Sequence, residues 1–112
     1  MAGRTGYLGE FEQVVMLAVA RLEGEAYGMS IRREIEARGG RSVSIGAVYA
    51  TLERLADKGC VRVREETPAG RDARARRFYE LTRSGVDALR AASALQARMW
   101  AGLRLTRAGR RP

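Results

Sequence analysis

The sequence predicts a mainly α-helical protein with one small β-hairpin, in the order of three helices, the hairpin and a long fourth helix. Apolar residues recur at three- and four-residue steps in three stretches before residue 59 and in one stretch after residue 82, as in amphipathic helices. Between these stretches the apolar period changes to two, which is typical of short strands. The length of 112 residues suits one hydrophobic core.

The first helix is predicted from Glu10 to Leu22. Two glutamates in its first turn, Glu10 and Glu12, complement the positive end of the helix dipole. Glu23-Gly24-Glu25 is expected to end it. The apolar stripe that predicts this helix consists of Phe11, Val14, Val15, Ala18, Val19 and Leu22.

The second helix is predicted from about Tyr27 to Arg38, with Tyr27, Ile31 and Ile35 on its buried face and Gly39-Gly40 at its end. The third helix is predicted to follow Ser44 as its N-cap and to reach Lys58, with Gly59 just beyond its end. Its apolar positions are Ile45, Val48, Leu52 and Leu55.

The hairpin is predicted from an alternating pattern on either side of a turn. In residues 60–64 the valines are expected to face the core and the arginines the solvent. Thr67-Pro68-Ala69-Gly70 has the composition of a turn. In the second strand, Arg77, Tyr79 and Leu81 would share one face, and Arg76, Phe78 and Glu80 the other.

The fourth helix is predicted to begin after Thr82 as its cap, with an apolar side that no other part of the chain covers. The sequence thus divides into a unit of three helices and the hairpin over residues 1–81, a final helix over 82–105 and a basic, disordered tail over 106–112.

The composition argues against catalysis and against metal or cofactor binding. The chain has no histidine and one cysteine, Cys60, so the usual general base and the common zinc sites are missing. No paired-carboxylate or glycine-rich phosphate motif appears. No apolar run approaches the ~20 residues of a membrane span, and the first ten residues do not resemble a secretory signal, so we expect a cytoplasmic protein without a membrane partner.

The charge distribution indicates a polyanionic partner. Residues 1–40 hold five arginines and six acidic residues, a net charge of −1, whereas residues 41–112 hold sixteen basic and seven acidic residues, a net charge of +9. A GC-rich coding bias is an alternative source of arginine, but it does not explain why the acidic residues concentrate in the first part.

Three helices followed by a basic hairpin predict a winged helix-turn-helix, in which the third helix enters the major groove of DNA. The residues expected to contact DNA from the third helix and its approach are Ser42, Ser44, Gly46, Ala47, Tyr49, Ala50 and Arg54. Those expected to contact phosphates from the hairpin are Arg71, Arg74, Arg76 and Arg77. Each of these roles has a plainer alternative: Tyr49 as a half-buried packing residue, Ser44 as a helix cap alone, and the hairpin as an ordinary solvated surface.

The sequence resembles the PadR-like family of bacterial transcriptional regulators over about Leu8 to Leu89. The stretches that carry the resemblance are LGEFE (8–12), AYG (26–28), IRREI (31–35), SVSIGAVY (42–49), LERL (52–55), KG (58–59) and RFYELT (77–82). The resemblance implies a winged-helix dimer that represses a nearby promoter through a palindromic operator. It also implies a small, often aromatic inducer. The hairpin departs from the family's glycine-arginine run because Asp72, Ala73 and Ala75 interrupt it.

The resemblance places dimerisation on the fourth helix packed with the first. The residues expected at this homodimer surface are Phe11, Val15, Leu89, Ala92, Leu95, Met99 and Leu103. Some short members of the family hold flat aromatic ligands between tryptophans, so Trp100 is a candidate ligand contact, with an ordinary interface or core position as the alternative. The competing functions are a nonspecific nucleic-acid-binding module and a winged helix that binds only protein.

Overall fold

The computed structural model describes residues 6–67 and 76–106. Its elements, in chain order, are α1 (Glu10–Leu22), α2 (Gly28–Gly39), α3 (Ile45–Asp57), β1 (Val61–Glu66), β2 (Arg76–Leu81) and α4 (Arg83–Trp100). The predicted fold class is confirmed: four helices and one two-stranded antiparallel hairpin, arranged as a winged helix-turn-helix with a long final helix. None of the described helices is long and apolar enough to cross a membrane.

The first three helices bury one apolar face each around a common core. The stripes of α1, α2 and α3 meet there because residues three and four apart lie on the same side of a helix. Each fully buried aliphatic side chain contributes roughly 1.5–3 kcal/mol through removal of apolar surface from water. The side chains at the centre of this core are Val15, Met16, Ile31, Val48, Leu52 and Leu55.

Both predicted N-caps are confirmed. The Ser44 hydroxyl accepts a hydrogen bond from the Ala47 N–H at 3.0 Å, and the Thr82 hydroxyl accepts one from the Gly85 N–H at 3.0 Å. The end of α2 at the predicted glycine pair is confirmed as well, because Gly40 adopts a φ of +67° and its N–H returns to the Glu36 carbonyl. These local hydrogen bonds set where α2, α3 and α4 begin or end.

The hairpin is buried on both faces near its base, so the predicted alternation is wrong in part. Val61 is buried as expected, but Val63 is exposed, and the neighbours Phe78 and Tyr79 are both buried. The Phe78 ring packs edge-on against Tyr27, with the ring centroids 5.7 Å apart. The Tyr79 N–H donates to the Ala26 carbonyl at 2.8 Å, which ties the segment before α2 to the hairpin.

The fourth helix ends at Trp100, earlier than the predicted boundary at residue 105. Gly102 adopts a φ of +74°, and the Leu103 N–H bonds to the Trp100 carbonyl at 2.9 Å, so the chain turns away there. The prediction that Leu103 lies on the apolar side of this helix is therefore wrong, because the residue lies beyond the helix end. The predicted disordered tail falls outside the described residues, except for Thr106.

The start of α4 is anchored tightly to the hairpin. The Thr82 N–H donates to the Cys60 carbonyl at 3.0 Å, and the Thr82 hydroxyl donates to the Gly59 carbonyl at 2.5 Å. A Cβ atom at Gly85 would lie well inside 3.0 Å of the Cys60 carbonyl oxygen, so only glycine permits this approach. Leu89 still packs against the core, but from residue 93 onward every residue of α4 is exposed.

Candidate nucleic-acid interface

The surface of α3 opposite the core consists, in its N-terminal half, of small uncharged residues and one tyrosine. We call Gly46, Ala47, Tyr49 and Ala50 the open face of α3; all four are exposed. The approach to the helix is exposed too, at Ser42 and Ser44, although Ser44 also caps the helix. The acidic residues of α3 lie in its C-terminal half. A polyanion can therefore come close to the first two turns of α3 without meeting a carboxylate on this helix.

Tyr49 is partly packed and partly open. Its side chain lies against Gly28 at the start of α2, where an added Cβ would come well inside 3.0 Å of the ring and the hydroxyl. The residue nevertheless remains 46% exposed. Glycine at position 28 thus lets the Tyr49 ring lie close against α2, which holds the side chain at one edge of the open face.

Arg54 is engaged within the protein. Its Nη2 donates to the Thr51 hydroxyl at 3.0 Å, and its Nε lies 3.5 Å from the Glu12 carboxylate on α1. Its guanidinium is thus held by intramolecular contacts, whereas the sequence predicts it as a DNA contact. The residue is still exposed, so its contact with DNA stays a prediction.

An ion pair between a buried carboxylate and a half-buried lysine joins α1 to the end of α3, and no motif in the sequence indicates it. Lys58 Nζ donates to both carboxylate oxygens of Glu12, at 2.8 and 2.9 Å, and to the Tyr7 carbonyl at 3.0 Å. The Gly9 N–H donates to the same carboxylate at 2.8 Å. Glu12 is recognisable as a first-turn glutamate, but its partner lies 46 residues away and no local pattern identifies it.

The environment of Glu12 favours its charged form. Burial of the carboxylate acts to raise its pKa, but the hydrogen bonds from Lys58 and from the Gly9 N–H, together with the charges of Lys58 and Arg54, outweigh burial. The pKa of Glu12 therefore lies below its ordinary value. This network orients α3 relative to α1 and so helps to position the open face.

The arginines of the hairpin differ in how far acidic residues neutralise them. Arg62 pairs with Glu80 at 2.8 Å, Arg77 pairs with Glu65 at 3.5 Å, and Arg64 pairs with Glu66. Tyr79, followed by the Glu65 carboxylate, raises the pKa of Arg77 above its ordinary value. In the described part of the hairpin, Arg76 has no carboxylate partner within ion-pair distance. Two of the predicted phosphate contacts, Arg71 and Arg74, lie outside the described residues.

The predicted dimer surface is corrected at one further position. Val15 is fully buried in the core of its own chain, on the side of α1 that faces α2 and α3, so it cannot contact a second copy. Phe11 is half-buried, with the Arg41 guanidinium 5.6 Å from its ring centroid. Leu89 and Ala92 are half-buried, whereas Leu95 is 47% and Met99 70% exposed.

The apolar side of α4 continues into a groove and reaches the one tryptophan of the chain. The groove separates α4 from the segment before α1, and its lining includes Tyr7, Leu8, Gln13, Ala88, Ala92 and Leu95. Trp100, at the far end of α4, is 54% exposed. Among the described residues, no cluster of acidic or cysteine side chains could hold a metal ion.

The family model described as "Transcriptional regulator PadR-like family" matches residues 16–91. Among solved structures, RosR from H. salinarum is 27% identical with a TM-score of 0.65, and the match covers 87% of this chain and 81% of that one. A PadR family transcriptional regulator from Eggerthella lenta is 24% identical, with a TM-score of 0.66 and coverage of 83% and 81%. A PadR-like transcription factor from Bacteroides fragilis is 22% identical, with a TM-score of 0.69 and coverage of 80% and 82%. A comparison with curated proteins gives no match.

Proposed function

The chain belongs to the PadR-like family of transcriptional regulators, and on this premise we propose that it is a homodimeric repressor that a small ligand releases from a palindromic operator. Its general role as a DNA-binding transcriptional regulator follows from the family and the winged-helix fold. The observation that carries the proposal is the open face of α3. It is exposed, lacks charged side chains, and is held in place by the buried opposite side of the same helix.

Base recognition is assigned to the first two turns of α3. Small side chains at Gly46, Ala47 and Ala50 allow the helix backbone to approach base edges, and the hydroxyl groups of Ser42 and Ser44 can bond to phosphates or bases. The Ser44 hydroxyl already accepts the capping N–H, so in this role it would act as a donor to DNA.

Phosphate binding is assigned to the hairpin. Arg76 and Arg77 extend from β2, and Arg71 and Arg74 precede them in the sequence. Because Arg77 shares its charge with Glu65, we expect it to contribute less to binding than Arg76. Such contacts set register and affinity and carry no base information by themselves.

Dimerisation is assigned to α4. Its apolar side projects beyond the core of its own chain, and Leu95, Met99 and Trp100 are exposed there. A second copy that packs on this side and in the groove beside Leu8 would remove this apolar surface from water. Two α3 helices related by two-fold symmetry would read a palindrome with half-sites about one helical turn apart.

Ligand release is assigned to the region of Trp100. As the one tryptophan of the chain, it makes intrinsic fluorescence a direct reporter of events at the end of α4. We expect flat aromatic compounds to quench this fluorescence and to weaken operator binding in the same concentration range. Quenching without any change in DNA affinity would refute a role in release.

The proposal is tested by titrating the protein with DNA from upstream of its own gene and with random duplex at one salt concentration. A sequence-specific regulator should prefer its operator by about a thousandfold or more. Ala50→Glu places a carboxylate on the open face and should abolish binding, whereas the matched control Ala20→Glu, at an exposed position of α1, should not. Equal affinity for both duplexes would instead support a nonspecific nucleic-acid-binding module. Binding to neither would support a winged helix that binds protein.

A further inference from the structure

Tyr27, the residue that precedes α2, has two guanidinium groups against its ring. The Arg76 Cζ lies 4.4 Å from the ring centroid and the Arg33 Cζ lies 5.9 Å from it. Arg33 Nη2 also donates to the Tyr27 hydroxyl at 2.9 Å. Both distances are within the range of cation–π attraction, so the ring restrains a residue from α2 and a residue from β2 at one place.

The Tyr27 ring is itself held in position by the core. It meets the buried Phe78 ring edge-on, with an interplanar angle of 82°. The Tyr27 N–H donates to the Ser30 hydroxyl at 2.9 Å, which fixes the backbone at the start of α2. The two arginines therefore lie against a rigid support and not against a freely moving surface side chain.

Arg33 and Arg76 also differ from their neighbours in charge compensation. On α2, Arg32 and Arg38 each have a glutamate partner, as do the other described arginines of the two hairpin strands. Within the described residues, no carboxylate lies within ion-pair distance of Arg33 or Arg76. An arginine stacked on a ring keeps N–H donors at its edge, and these suit a phosphate group.

The position of this pair connects it to the open face of α3. Tyr27 is followed directly by Gly28, against which the Tyr49 ring lies. We infer that Tyr27 is a positioning residue that holds Arg33 and Arg76 as a phosphate-binding pair. The two arginines would bind the DNA backbone beside the groove that α3 enters. The inference rests on the proposed DNA-binding function, and it adds Arg33 of α2 to the hairpin and α3 as a contact with DNA.

The first test is the salt dependence of binding to a fluorescein-labelled random duplex of about 30 base pairs, which is long enough for two α3 helices one helical turn apart. Removal of one phosphate contact should reduce the slope of log K against log [salt] by about 0.9 and weaken binding about fivefold at 0.15 M salt. Arg33→Gln and Arg76→Gln should each remove one such contact per subunit, so a dimer should lose about 1.8 from the slope and about thirtyfold in affinity. Arg38→Gln, a control on the same helix whose guanidinium already pairs with Glu34, should leave the slope unchanged.

The second test asks whether Tyr27 acts through the two arginines. Tyr27→Leu should flatten the slope in the wild-type background and have no further effect on it in the Arg33→Gln/Arg76→Gln variant. Tyr27→Phe keeps the ring but has no hydroxyl group for Arg33. Compared with Tyr27→Leu, it should therefore recover the part of the salt slope that comes from Arg76. Thermal melting identifies any variant that is unfolded, and Tyr27→Phe, which should lose the Arg33 part of the slope, decides the question if Tyr27→Leu does not fold.

Three outcomes overturn the inference, and they can be told apart. If the wild-type protein binds duplex DNA and Ala50→Glu abolishes binding, but the arginine variants leave the slope unchanged, the inference fails and the proposed function stands. If the wild-type protein binds no duplex at all, both fail. An equal loss of binding from Tyr27→Leu in both backgrounds would show a structural role and would overturn the positioning role.

Discussion

Removal of the Lys58 ammonium tests whether the pair with Glu12 holds α1 and α3 together. Lys58→Met keeps most of the length of the side chain and leaves the Glu12 carboxylate, whose side chain is 8% exposed, without its closest cation. Breaking a buried pair on one side costs roughly 3–5 kcal/mol. We expect no more than about 3 kcal/mol, the lower end of this range, because the Lys58 side chain is 26% exposed, Arg54 Nε remains 3.5 Å from the carboxylate and the Gly9 N–H still donates to it.

The assay is urea denaturation followed by circular dichroism at neutral pH. With a slope of about 1–3 kcal/mol per molar urea for a small protein, a decrease of about 3 kcal/mol lowers the midpoint by about 1–3 M. Glu12→Gln/Lys58→Met should recover a large part of this stability, because neither residue is then left as an unpaired buried charge. As a control, Arg38→Met breaks an exposed pair and should cost less than about 1 kcal/mol.

The same pair predicts a pH dependence with a definite sign. The folded state lowers the pKa of Glu12, so its stabilising contribution is present above the ordinary carboxyl pKa of about 4.3 and is lost as the pH falls through the lowered value. The wild-type protein should therefore lose stability on acidification more steeply than the Glu12→Gln/Lys58→Met variant. Two results together would refute a stabilising pair: equal urea midpoints for Lys58→Met and the Arg38→Met control, and an equal loss of stability on acidification for the wild-type protein and the Glu12→Gln/Lys58→Met variant.

Three further predictions concern the anchor of α4, the charge of the hairpin and the dimer. Gly85→Ala should lower the melting temperature markedly, with a cost of about 2 kcal/mol or more, because its Cβ would overlap the backbone carbonyl of Cys60. The control is Gly46→Ala, whose Cβ would meet open space, and equal melting temperatures for the two variants would contradict the anchor. Glu65→Gln should tighten binding to random duplex by releasing Arg77, and a weaker or unchanged affinity in fluorescence anisotropy would contradict phosphate binding by Arg77. Leu95→Arg should convert dimers to monomers in sedimentation experiments. A wild-type protein that is already monomeric at micromolar concentration would contradict dimerisation through α4.

Much of the fold could be predicted from the sequence because the determining interactions are local. Helix periodicity, the Ser44 and Thr82 caps and the terminating glycines all act within about one turn of the chain. For this reason the bounds of α1 agree with the prediction, and those of α2 and α3 differ from it by one residue at most. The open face of α3 follows from the same periodicity, since burial of Val48, Leu52 and Leu55 places the intervening residues outward.

The predictions that failed required knowledge of what packs against each element. Periodicity places Val15 on an apolar stripe, but only the packed helices decide that it faces its own core and not a second copy. A period of two predicts one buried face for the hairpin, whereas Tyr27 covers the face opposite Tyr79 and buries Phe78 as well. The end of α4 at Trp100 depends on the backbone conformation of Gly102, which glycine permits but does not require.

The sequence alone determined the order of elements, the basic character of residues 41–112 and the identity of the helix that carries the open face. Only the tertiary structure decided which charges remain available. Glu12 meets Lys58 across 46 residues and Arg76 reaches Tyr27 from another element, whereas Arg62, Arg64 and Arg77 are compensated by nearby glutamates. Net charge is a sum over the chain, but the charge that DNA meets depends on distances between side chains, and those distances exist only once the chain has folded.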